Sequence, residues 1–186
     1  MSSSTPPISV DASTLPTPQS AAWESYTYTP TEKNIFAPSP YKDLLLPHWR
    51  FATPAAAKAS AEQIYEFFLV FEAREDFVGA DNARKFLQMG MTRAGRYANF
   101  KGGRKYTKGE KTKEDEEGVK GGKGKRKVKP QEGDWEGRKE KREASDIFRG
   151  YWEKAKGSEG YLRLKEEFMK GKREGERKKK TEEAGG

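Results

Sequence analysis

Residues 53–99 read TPAAAKASAEQIYEFFLVFEAREDFVGADNARKFLQMGMTRAGRYAN, and the fold turns on how this stretch divides. Thr53 followed by Pro54 is a helix start, since Thr accepts from the first-turn amides and Pro at N1 gives up an N–H that had no partner. Ala57, Ala61, Ile64, Phe68 and Phe71 then recur at alternating steps of four and three, the spacing of one buried helix stripe, which Phe67 widens. This first helix is read to about Arg74. Asp76 is the natural N-cap of a second helix from Phe77 to about Ala98.

In that second helix Gly79, Ala80, Ala83, Phe86, Leu87, Gly90, Met91, Ala94 and Tyr97 fall in one arc at 100° per residue. The arc is rich in Gly and Ala, which costs helix propensity but lets a neighbouring helix approach closely. Met89 and Met91 read as fillers of a helix interface. Arg84, Lys85, Gln88, Thr92 and Arg96 fall in the opposite arc, with Arg93 on its border. That arc is expected to face solvent or an anion. The helix ends in a Gly-rich basic turn, Lys101-Gly-Gly-Arg104-Lys105-Tyr106.

Outward from this hairpin the composition shifts. Upstream, Tyr41–Phe51 (YKDLLLPHWRF) reads as an extended, aromatic lead-in. Residues 1–40 hold seven of the ten prolines and read as a disordered leader, with a stretch around Trp23–Phe36 able to dock as an extended arm. Downstream, residues 107–139 are a flexible insertion of Lys, Glu and Gly. Helical patterning resumes in 140–169, where Ile147, Phe148, Tyr151, Trp152 and Ala155 form one stripe and Tyr161, Leu164 and Phe168 another, with Ser158 as the N-cap between them. Residues 170–186 read as a charged, disordered tail. The expected fold is all-α, a small three- or four-helix bundle built from 41–106 and 140–169.

Composition excludes several chemistries. The 186 residues contain no cysteine and one histidine, His48, so disulfides, thiolate metal sites and multi-histidine centres are absent. The longest apolar run, Phe67–Phe71, is far too short to span a bilayer, and no basic-then-apolar leader marks secretion. No P-loop, dinucleotide Gly pattern or metal-ligand spacing occurs. No cofactor, metal or catalytic residue is expected.

The runs L46-P-H-W-R-F51, F77-V-G-A-D81, A83-R-K-F-L-Q-M-G90, R96-Y-A-N99 and K101-G-G-R-K-Y106 resemble a conserved domain of unknown function found in bacteria, fungi and phages. The resemblance extends to Ile147–Trp152 and Tyr161–Lys165, about half of the chain. It implies a shared helical fold and supplies no activity. The Pro-rich leader and the long insertion depart from the pattern and read as eukaryotic, fungal elaborations.

Charge gives the functional expectation. The net charge is +8, and between Arg84 and Lys105 seven cations (Arg84, Lys85, Arg93, Arg96, Lys101, Arg104, Lys105) occur with no acid. Such a face suits phosphate, with Phe100 or Tyr106 available to stack on bases, so DNA or RNA is the first expected partner. An acidic protein surface is the alternative, and the bland reading is a solvated helix face. Lys123, Lys125, Arg126, Lys127 and Lys129 form a basic run resembling a nuclear localisation signal, which favours the nucleus over the cytoplasm. An enzyme acting on a phosphate-bearing substrate would have to use arginine clamps with a carboxylate or His48, and ranks below both. Asp81 reads instead as a dipole or ion-pair partner of Lys85, and Trp49, Trp135 and Trp152 as core anchors.

Overall fold

A computed structural model describes residues 21–104 and 135–184. Six α-helices account for most of these residues, and no strand occurs among them. The helices are α1 (Ala21–Ser25), α2 (Tyr41–Leu45), α3 (Pro54–Ala73), α4 (Phe77–Asn99), α5 (Arg138–Gly157) and α6 (Glu159–Ala184). Both expected caps are present: Thr53 Oγ1 accepts from the Ala56 amide at 3.2 Å, and Asp76 Oδ1 from the Gly79 amide at 3.0 Å.

Helices α3, α4 and α5 form the bundle, with α4 at its centre. The turn at 74–76 makes α3 and α4 an antiparallel pair. Ser145 Oγ donates to the Met91 carbonyl at 2.9 Å and Arg142 reaches Asn99, so α5 runs antiparallel to α4. It therefore lies parallel to α3, which it meets through Tyr151 and Glu62. The α3 stripe of Ala57, Ala61, Ile64, Phe68 and Phe71 is fully buried. Small residues on α4 allow the closeness expected of them: a Cβ at Gly90 would sit 2.4 Å from the Phe148 ring, and one at Gly79 would sit 2.7 Å from Phe71. Helix α6 crosses the end of the bundle where α4 begins, stacking Tyr161 on Phe77 with ring centres 5.8 Å apart.

Several expectations need correction. Residues 21–40 are not disordered: Trp23, Tyr26 and Ile35 are buried in the core, so the docking stretch foreseen around Trp23–Phe36 extends to most of this segment. Aromatic side chains supply there the apolar area that the prolines do not. The lead-in is helical rather than extended, because α2 and the 3₁₀ turn Leu46–His48 place Tyr41 and Leu45 on one inward face. Helix α5 starts at Arg138, inside the segment assigned to the insertion. Helix α6 continues to Ala184 instead of ending near Met169, its exposed half being built largely of Lys, Arg and Glu, which are good helix formers. Trp135 lies outside the core, with Arg138 over its ring at 4.9 Å, while Trp49 and Trp152 pack partly buried against it. Ser158 does precede α6, and its hydroxyl bonds to Glu72 of α3.

Candidate nucleic-acid interface

The seven cations of the basic stretch do not form one surface. Arg84 and Lys85 turn inward, at 3% and 0% exposure. The reason is the docked leader, which runs over the arc of α4 that the sequence assigns to solvent. Asp81, itself fully buried, holds both cations: Arg84 Nε at 2.8 Å from Oδ1 and Lys85 Nζ at 3.3 Å from Oδ2. Tyr161 Oη donates to Oδ1 at 2.6 Å and Tyr26 Oη donates to Oδ2.

Leader carbonyls complete the shell. Arg84 donates to Thr29 O at 3.2 Å and Pro30 O at 3.5 Å, and Lys85 to Lys33 O at 3.3 Å and Tyr26 Oη at 2.8 Å. Burial, together with the Asp81 carboxylate, pushes the phenols of Tyr26 and Tyr161 far above the ordinary tyrosine range. Burial also lowers Lys85, against the opposing pull of Asp81. A buried carboxylate with two cations and two phenols is a structural knot, since breaking one partner leaves charge uncompensated in a low-dielectric interior. The expected Asp81–Lys85 pair is therefore present, with Arg84 and two tyrosines added.

A second buried carboxylate, Asp76, combines its capping bond with one from Tyr41 Oη at 2.7 Å, and Trp23 Nε1 donates to that phenol at 3.3 Å. Burial raises the Asp76 carboxyl above its usual range, against the amide of Gly79 and the phenol of Tyr41. Asn82 is buried, and neither of its side-chain amide atoms has a hydrogen-bond partner among the described residues.

The other described cations of the stretch stay outside. Arg93, Arg96, Lys101 and Arg104 are exposed on the last turns of α4 and the 3₁₀ turn Lys101–Gly103 that follows. None of the four has an acidic partner among the described residues, whereas Arg163 pairs with Glu75 and Glu167 and Arg149 with Asp146. Gly102 and Gly103 both take φ of +69°, which bends the chain back so that the turn stays at the helix end. Phe100, expected as a stacking platform, is 9% exposed and belongs to the interior. Lys105, Tyr106 and the basic run at Lys123, Lys125, Arg126, Lys127 and Lys129 lie outside the described residues.

Aromatic side chains adjoin this basic end, a feature the sequence reading did not connect to it. Trp49 and Phe51 have ring centres 4.9 Å apart, and Phe51 and Tyr97 5.9 Å. Lys141 of α5 lies over both Phe51 and Tyr97 and donates to the Phe51 carbonyl at 3.1 Å. The signal available in the sequence was the four-residue step from Arg93 to Tyr97. His48 packs on Phe67 with ring centres 5.3 Å apart, in the aromatic setting expected of it.

Among the described residues no cluster of His, Asp or Glu is arranged to hold a metal ion, and no helix is long and apolar enough to cross a membrane. A family model described as a domain of unknown function, DUF4385, matches residues 11–171. No curated protein and no solved structure matches the chain.

Proposed function

The chain belongs to this family of unknown function, DUF4385, and we propose that it is a nonenzymatic nucleic-acid-associated protein that binds phosphate through the basic end of α4. The supporting observation is the exposure of Arg93, Arg96, Lys101 and Arg104 with no acidic partner among the described residues. Arginine forks and backbone amides of a Gly-rich turn suit phosphate oxygens, and four cations from one helix end give a short electrostatic track. Arg84 and Lys85 are withdrawn from the contact set. The cations of Lys123–Lys129 would add sequence-independent affinity and serve as the nuclear import signal.

The test is binding of the full-length chain to DNA and RNA oligomers across a salt series, compared with the Arg96→Glu/Arg104→Glu variant. The expected result is a loss of affinity of at least about tenfold and a salt slope shallower by about 2, with helical circular dichroism unchanged. Unchanged affinity and slope would overturn the assignment and return this surface to docking of an acidic protein.

A further inference from the structure

We propose that the basic end of α4 selects single-stranded over duplex nucleic acid, with a base stacking on Tyr97 while the flanking cations hold phosphates. This rests on the phosphate-binding reading above and adds a ligand class to it. Tyr97 is 39% exposed, although its neighbours along the apolar arc of α4 are buried. Its ring extends the Trp49–Phe51 pair, so it stands on a packed aromatic support. The turn after α4 closes against it, since a Cβ at Gly103 would lie 2.9 Å from the ring.

Arg93 lies one helical turn before Tyr97 and Arg96 is its immediate neighbour. Lys101 and Arg104 follow on the turn that packs on its ring. The exposed part of the Tyr97 ring, with Lys141 over it at 5.9 Å, is thus set among four exposed cations that have no acidic partner among the described residues. Every base presents a π face to such a platform, so stacking would be tolerant of sequence. In a duplex the faces are occupied by neighbouring bases, and only the phosphates would be reached.

The experiment measures equilibrium binding of the full-length chain to a single strand of about 12 nucleotides, to the matching duplex and to an abasic strand of equal length, all at one salt concentration. Wild type is expected to prefer the single strand. Tyr97→Leu, which keeps an apolar contact for Phe51, should lower single-strand affinity by about fivefold to a hundredfold and leave duplex and abasic binding unchanged. Tyr97→Phe should retain the preference. Equal wild-type binding to the base-bearing and abasic strands would overturn the inference while leaving phosphate binding intact. Parallel losses on strand and duplex in Tyr97→Leu would do the same. Binding to none of the three would overturn both readings.

Discussion

Tyr161 Oη donates to Asp81 Oδ1 over 2.6 Å, tying α6 to α4 across 80 positions of chain. The same carboxylate accepts from Tyr26 of the leader and pairs with Arg84 and Lys85 of its own helix. Three segments distant in sequence therefore depend on one buried carboxylate.

Asp81→Asn keeps the shape of the side chain and removes its charge. Arg84 and Lys85 then stay buried without a counter-ion, and the expected loss of stability is about 3–5 kcal/mol. Urea unfolding followed by circular dichroism measures it. Tyr26→Phe and Tyr161→Phe each remove a hydrogen bond to this carboxylate and should cost about 1.5–3 kcal/mol. Their double variant should depart from the sum, because both phenols serve one acceptor group. A loss below about 1 kcal/mol for Asp81→Asn would contradict the charge knot.

Glycines at different places should respond with opposite signs. Gly90→Ala forces a methyl against the Phe148 ring and should destabilise by about 1–3 kcal/mol. Gly150→Ala on α5 meets nothing within 4 Å and should stabilise by up to about 1 kcal/mol. Thermal unfolding of the two variants, run in parallel, checks the pair.

Alkaline pH should unfold the chain through its buried phenols. Tyr26 and Tyr161 face Asp81, Arg84 and Lys85, while Tyr41 faces Asp76, and burial raises all three. Because their folded values lie above the unfolded one, the stability they contribute is complete below about pH 10 and is lost as pH rises beyond it. Lys85 is shifted downward and works in the opposite sense, favouring the folded state as pH approaches the ordinary lysine range. Denaturant unfolding from pH 8 to 11 should show a fall in stability above about pH 10 that is smaller in Tyr41→Phe. A fall of the same size in that variant would remove Tyr41 from the account.

The two helices of residues 53–99 were legible because each carries a local signal: a side-chain cap, a periodic stripe and close-approach glycines. The inward turn of Arg84 and Lys85 was not. Periodicity sorts a helix into two faces and presumes that the polar one meets water. Here the leader covers it, and carbonyls of Thr29, Pro30 and Lys33 take the place of water around the two cations. A leader carbonyl has no residue type, so no pattern announces it. The clues were side chains: Trp23, Tyr26 and Tyr28 in a Pro-rich segment, and Asp81 three and four positions before two cations. The exposure of Arg93, Arg96, Lys101 and Arg104, with no acidic partner among the described residues, was legible in part, since no acid occurs between Arg84 and Lys105.

The leader also sets an order of events during synthesis. Tyr26 is made before Phe77, Asp81, Lys85 and Phe168, which its side chain meets in the folded chain. Asp81 follows 55 residues later and Phe168, whose ring meets Tyr26 at 6.0 Å, comes much later still. At about 5–20 residues per second, on the order of ten seconds separates the first aromatic of this contact from the last. The segment around Tyr26 is thus made before its partners and locked only after them, and a nascent chain halted before Tyr161 would lack one of the two phenols that hold Asp81.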